Sequence, residues 1–274
     1  MTEINFIKMH GLGNDFVIID LRNNDFLPNS ELIRKIANRR TGVGCDQLVT
    51  IDAIDKNGIV LVSFYNEDGS KSGACGNATR CLADLIMQET KKAEVVLNSA
   101  GNLLYCNKDY NNLIRVNMGI AKTAWKEIPL KYQLDTNNIE IDTFKAGFAV
   151  NVGNPHIVFF VADLNTVDLL QVGFKIENNE LFPERVNVNI AKIISKNEIS
   201  LKVWERGAGA TLACGTGACA TAFAAYKKNL TEHKVKVILP GGELFIEIMD
   251  DDVIFMTGTA NYVFSGKFKL KNFL

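Results

Sequence analysis

The sequence lacks long apolar runs and has no excess of charge of either sign. Its longest apolar runs, such as residues 157–162, are far too short to span a bilayer, so we expect no membrane partner. Thirty basic residues stand against thirty-one acidic ones, which gives no general attraction for a nucleic-acid backbone. Residues 1–6 lack the basic and apolar regions of a secretory signal. These absences favour a cytoplasmic enzyme or binding protein.

Signatures of metal and cofactor binding are also missing. The chain has three histidines and six cysteines, and no two cysteines have the Cys-x-x-Cys spacing of many zinc sites. The segment Gly11-Leu12-Gly13 lacks the third glycine of a dinucleotide-binding loop and leads into a predicted strand. We therefore expect no metal and no cofactor, and we expect the cysteines of an intracellular chain to be reduced.

What the chain does have is a stretch that occurs twice. Residues 74–81 read Ala-Cys-Gly-Asn-Ala-Thr-Arg-Cys, and residues 213–220 read Ala-Cys-Gly-Thr-Gly-Ala-Cys-Ala, with their first cysteines 139 residues apart. Similar offsets relate Gly13-Asn14 to Gly153-Asn154 and Tyr65-Asn66 to Trp204-Glu205. Landmarks in the same order at nearly one offset indicate an internal duplication.

The pattern of apolar residues predicts the architecture of each copy. Most segments alternate like strands, and one long helix follows each motif cysteine. The first of these helices has an apolar stripe of Ala78, Cys81, Leu82, Leu85 and Ile86, and we expect Arg80, Asp84 and Gln88 on its opposite, polar face. Shorter helices are predicted from Ser30, as the capping residue, to about Asn38 and over 166–175.

The predicted fold is α+β, with two pseudo-symmetric domains that each wrap a mostly antiparallel sheet around a central helix. The first domain comprises residues 1–120 plus 262–274, and the second comprises residues 121–261. The strand-like tail 262–270 lies beyond the end of the second copy, so we expect it to return to the sheet of the first.

A cysteine at a helix N-terminus lies where free backbone N–H groups favour an anion. We expect this position to lower the thiol pKa toward 7 for Cys75 and Cys214. Gly76 and Gly215 leave room for a carboxylate to approach both helix ends. Two thiols in one cleft should not both ionise, so one would be a base and the other an acid, which is the pairing needed to invert a stereocentre. The remaining cysteines, Cys45, Cys81, Cys106 and Cys219, have the pattern of buried core residues.

Six segments together make the chain resemble the diaminopimelate epimerase family of cofactor-independent amino-acid racemases. They are residues 8–16 (KMHGLGNDF), 66–70 (NEDGS), 74–77 (ACGN), 153–156 (GNPH), and 205–209 with 213–217 (ERGAG and ACGTG). The resemblance spans nearly the whole chain. It implies epimerisation of LL-2,6-diaminoheptanedioate to the meso isomer, a step toward lysine and peptidoglycan precursors.

The resemblance also implies a set of site residues. Cys75 and Cys214 would be the acid-base thiols, and His156 and Glu205 would tune their pKa values. Substrate contacts would come from Asn14, Gln47, Asn66, Gly76, Asn77, Asn154, Asn187, Glu205, Arg206, Gly215 and Thr216. It further implies a homodimer.

Three functions remain open: diaminopimelate epimerase, a related isomerase and a binding protein. Within the same fold, a proline-racemase-like isomerase would also use two cleft thiols. A redox-switched binding protein could instead join Cys75 to Cys214 as a disulfide. An asparagine in a turn often only caps backbone groups. A lone histidine such as His156 is often structural.

Overall fold

The computed structural model describes residues 3–22, 24, 26–73, 75–109 and 111–273. Its strands, in chain order, are β1 (Glu3–Gly11), β2 (Asn14–Asp20), β3 (Gln47–Ile54), β4 (Val60–Asn66), β5 (Lys71–Ser72), β6 (Glu94–Ser99), β7 (Asn102–Lys108), β8 (Ile114–Ile120), β9 (Ile139–Ile141), β10 (Phe144–Asn151), β11 (Pro155–Phe160), β12 (Asn187–Ser195), β13 (Glu198–Glu205), β14 (Gly209–Thr211), β15 (Lys234–Leu239), β16 (Gly242–Ile248), β17 (Val253–Gly258) and β18 (Asn261–Lys269). The α-helices are α1 (Ser30–Ala37), α2 (Gly76–Thr90), α3 (Leu169–Glu177) and α4 (Gly215–Lys227), and short 3₁₀ turns lie at Leu164–Thr166 and Leu270–Asn272. Across these described residues, every helix is too short or too polar to cross a membrane.

The chain divides into two compact units. The N-terminal unit contains Met1–Val116 and Gly258–Leu274, and the C-terminal unit contains Asn117–Thr257. The predicted domain boundaries remain a prediction, because compactness alone does not show that either unit folds by itself.

The sheet of the N-terminal unit has the strand order β18-β1-β2-β3-β4-β6-β7-β8. The β2–β3 and β4–β6 pairs are parallel and the others are antiparallel, and the short β5 pairs with β4. Strands from both ends of this order, β1 and β2 as well as β6 and β7, contact α2, so the sheet curves around that helix. The tail strand β18 pairs antiparallel with β1, which confirms the predicted return of the chain to the first sheet.

The C-terminal unit repeats this plan. Its strand order is β9-β10-β11-β12-β13-β15-β16-β17, with parallel β11–β12 and β13–β15 pairs and with β14 beside β13. Strands β10 and β11 at one end and β15 and β16 at the other contact α4. The matching order and directions confirm the α+β class and the duplicated architecture. The sequence pattern did not reveal the short strands β5, β9 and β14.

The two central helices are packed differently. In α4 the alanines at 218, 220, 222, 224 and 225 are fully buried, as expected for an alanine-rich helix in close contact on all sides. In α2 the predicted polar face is wrong for Arg80 and Asp84, because both are buried and Arg80 has no exposed surface. Arg80 is tolerated there because Nε donates to Thr259 O (3.1 Å) and Nη2 donates to Asn77 Oδ1 (2.9 Å).

Two further helix predictions need correction at their ends. The cap of α1 is Asn29 rather than Ser30, because Asn29 Oδ1 accepts from Leu32 N at 2.9 Å. The predicted helix 166–175 begins later, at Leu169, because Asp168 Oδ1 accepts from the amides of the following turn. In both helices the N-cap is an Asx side chain that accepts from backbone amides of the first turn.

Candidate active site

Cys75 lies at the N-terminus of α2. It is the N-cap residue in extended conformation (φ −134°, ψ 116°), and its carbonyl accepts the first helical hydrogen bond from Thr79 N at 2.8 Å. Its side chain is half-buried. The preceding Ala74, which opens the predicted motif, lies outside the described residues. Since the amides of the first helical turn have no partner within the helix, the sulfur stands at a naturally anion-binding position.

Two predicted site residues are linked to this sulfur by hydrogen bonds, Asn14 directly and Asn77 through Asn14. Asn14, at the start of β2, places its Oδ1 3.5 Å from Cys75 Sγ. Asn77, in the first turn of α2, donates from Nδ2 to the same Oδ1 at 3.2 Å. An amide oxygen can only accept, so its hydrogen bond with Cys75 requires the proton to be on the sulfur.

Gln47 and Asn66 form a second predicted pair in the N-terminal unit. They lie opposite each other on β3 and β4, and Gln47 Nε2 donates to Asn66 Oδ1 at 2.9 Å. Within the described part of the chain, Gln47 Oε1 is a buried oxygen without a hydrogen-bond partner. Such an atom is costly to leave unpaired, which is typical of a position that receives a donor from a ligand.

Cys214 occupies the equivalent position at the N-terminus of α4. It is also an extended N-cap residue (φ −127°, ψ 112°), but it is only 4% exposed. Its Sγ accepts from Gly217 N at 3.4 Å and lies 3.5 Å from Thr216 Oγ1. The sulfur is therefore held by the first turn of its own helix.

The expected lowering of the thiol pKa is wrong for Cys214 in this structure. Burial raises its pKa well above the ordinary value, and the negative charge of Glu205 raises it further. The hydrogen bonds from Thr216 and Gly217 act in the opposite direction but do not compensate. Desolvation of the thiolate thus outweighs the helix end, and Cys214 keeps its proton.

His156 connects two asparagines inside the C-terminal unit. It is fully buried, and burial together with the charge of Arg206 lowers its pKa to about 3, so its ring is neutral. Asn189 Nδ2 donates to Ile157 O and to His156 Nδ1, both at 3.1 Å. The ring proton is therefore on Nε2, which donates to Asn154 Oδ1 at 2.9 Å.

Asn187 and Arg206 are joined at the ends of β12 and β13. Asn187 Oδ1 accepts from Arg206 N at 2.9 Å, and its Nδ2 donates to Pro155 O at 2.7 Å. The guanidinium of Arg206 donates to Glu184 O at 2.9 Å. Glu205 accepts from Thr211 Oγ1 at 2.6 Å.

The predicted residues thus form two groups, one in each unit. The N-terminal group comprises Asn14, Gln47, Asn66, Cys75, Gly76 and Asn77. The C-terminal group comprises Asn154, His156, Asn187, Glu205, Arg206, Cys214, Gly215 and Thr216. That the two groups share one substrate remains a prediction.

Sequence reasoning missed the residues that hold these groups in place, chiefly Asp46, Arg80, Asn189 and Gly217. Asp46 accepts from Asn14 Nδ2 at 2.8 Å, and Asn189 holds His156 as described. Asn189 could have been found, because it lies two residues after Asn187 and so on the same face of a strand. Arg80 could have been suspected from its position three residues after Asn77 on a helix.

Comparison with known sequences gives one family. A family profile described as diaminopimelate epimerase matches residues 6–124 and 148–263. A diaminopimelate epimerase from Pelagibacter ubique is 47% identical, covering 98% of this chain and all of the relative. One from Sphingopyxis alaskensis is 46% identical, covering 96% of each chain.

Solved structures share the fold at much lower identity. A phenazine biosynthesis protein of the PhzF family from Enterococcus faecalis has a TM-score of 0.71 at 13% identity, covering 98% of this chain and all of the other. A probable proline racemase from Agrobacterium radiobacter K84 has a TM-score of 0.70 at 13% identity, covering 97% and 93%. These likenesses establish the two-unit fold.

Proposed function

This chain belongs to the diaminopimelate epimerase family, and from that premise we propose that Cys75 and Cys214 are its two acid-base groups. The chain is an isomerase, and its reaction is the epimerisation of diaminopimelate. One observation carries the proposal: each unit wraps its sheet around a helix that begins at a motif cysteine. A matched pair of sulfurs suits a reaction that removes a proton from one face of a carbon and returns one to the other.

In the proposed reaction, a thiolate takes the proton from the α-carbon and becomes a thiol. The electron pair of the broken C–H bond is delocalised into the adjoining carboxylate. The second sulfur gives its proton to the opposite face of the carbon, which forms a new C–H bond and leaves a thiolate. The configuration inverts, and no proton or electron is gained or lost overall.

The surroundings of Cys214 suit it to the acid role in one direction. Its raised pKa keeps the proton on the sulfur until a carbanion develops nearby. Cys75 is then the base, and the two roles exchange in the reverse direction. The LL isomer and the meso isomer would be the two substrates of these two directions.

We place the reacting carboxylate at the two helix N-termini. The backbone N–H groups of Gly76 and Asn77 and those of Gly215 and Thr216 would receive it, as oriented dipoles that act most strongly on the charge developing in the transition state. A helix end contributes about 0.3 to 1 kcal/mol at exposed positions and up to about 2 kcal/mol when partly buried.

The remaining predicted residues suit the other charged groups of the substrate. Arg206 can bind a carboxylate, Glu205 can accept from an ammonium, and amide side chains can serve either. The unpaired oxygen of Gln47 favours an ammonium in the N-terminal group. Asn66, Asn154 and Asn187 complete the proposed set.

The test replaces each motif cysteine and a matched cysteine in the same helix. Cys75→Ala and Cys214→Ala should each lower epimerisation by at least about 10³-fold, because each removes one of two required proton carriers. Cys81→Ala and Cys219→Ala, which remove fully buried sulfurs deeper in α2 and α4, should keep activity within a few-fold. The activity of all four variants is measured as turnover of LL-diaminopimelate in deuterated water, and NMR follows the entry of deuterium at the α-carbon. Normal turnover in either motif variant would falsify the two-thiol assignment.

The resemblance also supports a homodimer in the cytoplasm as part of this proposal, and sedimentation of the purified protein tests the dimer.

The two alternative functions are less well supported. A proline-racemase-like substrate is disfavoured because relatives that cover nearly the whole chain at 40–47% identity are named diaminopimelate epimerase. A redox-switched binding protein would not need the full family pattern.

A further inference from the structure

The side chain of Asn14 has only one possible orientation. Its Nδ2 donates to Asp46 Oδ2 at 2.8 Å. An ionised carboxylate can only accept, so the amide nitrogen of Asn14 must face Asp46 and the amide oxygen must face away from it. That oxygen is the atom that lies 3.5 Å from Cys75 Sγ.

A second fixed end lies on the other side of Asn14. Arg80 Nη2, which can only donate, donates to Asn77 Oδ1 at 2.9 Å. This leaves Asn77 Nδ2 to donate to Asn14 Oδ1 at 3.2 Å. The hydrogen bonds therefore run one way, from Arg80 through Asn77 and Asn14 to Asp46.

We propose that Asp46 is a positioning residue, which holds the amide oxygen of Asn14 toward Cys75 so that this oxygen accepts a hydrogen bond from the ammonium on the reacting carbon. This inference rests on the proposed function for the identity of the substrate. The orientation of Asn14 does not depend on it.

The chemistry of Cys75 explains why an oxygen is needed there. While the sulfur carries a proton, Asn14 Oδ1 accepts from it. When the sulfur gives up that proton to act as a base, the same oxygen keeps the hydrogen bond from Asn77 Nδ2 but loses the one from Cys75, and it then lies beside an anion. An ammonium on the neighbouring carbon supplies a new donor. An amide NH₂ turned toward the site could not accept from that ammonium, because both groups only donate.

Asp46 also has a structural role, which the experiment must separate. Its Oδ1 accepts from Arg39 Nη2 at 2.6 Å, and its Oδ2 accepts from Asp15 N at 3.0 Å. Arg39→Gln removes the ion pairs of Arg39 with Asp46 and Asp15 but leaves the hydrogen bond from Asn14 to Asp46 in place. It is therefore the matched control for Asp46→Asn, which keeps the shape but leaves one oxygen and no negative charge to accept from Asn14, Asp15 and Arg39.

The kinetic experiment compares these two variants with diaminopimelate and with heptanedioate, a dicarboxylate of the same length without ammonium groups. Asp46→Asn should raise KM for diaminopimelate about 10- to 100-fold, the effect of losing a hydrogen bond to a charged group. The inhibition constant of heptanedioate should change less than about threefold, and Arg39→Gln should change both constants less than about threefold. Equal effects of the two variants, or an equal loss of heptanedioate binding, would make Asp46 merely structural and overturn the proposal.

A reversed pair gives an independent check. In Asn14→Asp with Asp46→Asn, the amide at 46 donates to the carboxylate at 14, whose other oxygen still faces Cys75. KM should recover at least fivefold relative to Asp46→Asn alone, while kcat stays low because a negative charge now adjoins the sulfur. No recovery of KM would contradict the positioning role.

An NMR measurement separates this inference from the proposed function. The side-chain amide protons of Asn14 should lie downfield in the wild type, because they donate to a carboxylate, and should move upfield in Asp46→Asn but not in Arg39→Gln. If the wild-type protein fails to epimerise diaminopimelate while this shift is seen, the proposed function fails and the orientation stands. Unshifted amide signals would refute the orientation itself.

Discussion

The two units have the same strand order, but the surroundings of their motif cysteines differ. Cys214 is almost fully buried, accepts a backbone N–H from Gly217 and lies in the field of Glu205. Cys75 is half-buried and faces the amide oxygen of Asn14. Duplication accounts for the matching positions of the sulfurs, whereas the side chains around each sulfur make the two positions chemically distinct.

The same contrast extends to Asn14 and Asn154, each of which follows a glycine at the matching position of its repeat. Asn14 has its amide nitrogen bound by Asp46, so it presents an oxygen. Asn154 has its oxygen bound by His156, so its NH₂ group is left to donate. Equivalent residues in the two repeats thus offer opposite hydrogen-bonding groups, as the proposed contacts with an ammonium and a carboxylate would use.

The largest expected effect comes from removing the buried guanidinium that distinguishes α2 from α4. Arg80 in α2 and Cys219 in α4 are 139 residues apart and both fully buried. Arg80→Met should cost about 3 to 5 kcal/mol, because it leaves Thr259 O and Asn77 Oδ1 without these donors in a buried site. Cys219→Ala should cost only about 1 kcal/mol. Urea denaturation measures both, and equal costs would show that the guanidinium is not a structural anchor of α2.

A steric change should disturb only the C-terminal group. An added Cβ at Gly217 would lie 2.7 Å from Asn189 Oδ1, and Asn189 is already bound to His156 and Ile157. Gly217→Ala should therefore cost about 1 to 3 kcal/mol and lower the activity. Gly73→Ala, at a position where an added Cβ meets nothing within 4 Å, is the control and should unfold like the wild type. A fully stable and active Gly217→Ala would show that the first turn of α4 is not tightly held.

The titration of His156 should affect the stability of the C-terminal unit. Its folded-state pKa of about 3 lies below the ordinary value of 6.5, so the unfolded chain takes up the proton first as the pH falls. The stability contributed by the neutral ring is complete above pH 6.5 and is lost below it, by up to about 1.4 kcal/mol per pH unit.

We expect His156→Asn to flatten this loss of stability between about pH 6.5 and pH 5, with unfolding free energies measured in urea at each pH. His233→Asn removes an exposed histidine and should leave the slope unchanged. A steep slope that persists in His156→Asn would mean that another group is responsible.

The smallest effect concerns the pKa of Cys214. Because the charge of Glu205 adds to the effect of burial in raising that pKa, Glu205→Gln should lower it. The rate of alkylation of Cys214 should then begin to rise at lower pH than in the wild type. Glu198→Gln, at the other end of β13, is the control. An unchanged alkylation profile in Glu205→Gln would leave burial as the sole cause of the raised pKa.

Much of this organisation could be predicted from the sequence. The repeated Cys-Gly motif identified the two central helices, and the apolar periodicity identified most of the strands and the returning tail β18. The family resemblance of the local motifs placed Asn14, Cys75 and Asn77 in one set of site residues. These features are local or follow from repetition, so they are visible without coordinates.

Other features depend on partners that are distant in the chain. Arg80 looked like a surface residue because its partner Thr259 lies 179 residues later. The pKa of Cys214 was predicted with the wrong sign because the degree of burial at a helix end cannot be read from the motif. Asp46 was overlooked because its contact with Asn14 joins segments 32 residues apart.

The central claim is that two different sulfurs handle the two protons of one reaction. Diaminopimelate carrying deuterium at the reacting carbon, converted in ordinary water and stopped within a single turnover, tests it directly. Two separate carriers predict that the product contains hydrogen from the water at that carbon and none of the original deuterium. Deuterium retained in the product would mean that one group both removes and returns the proton, and would contradict the account.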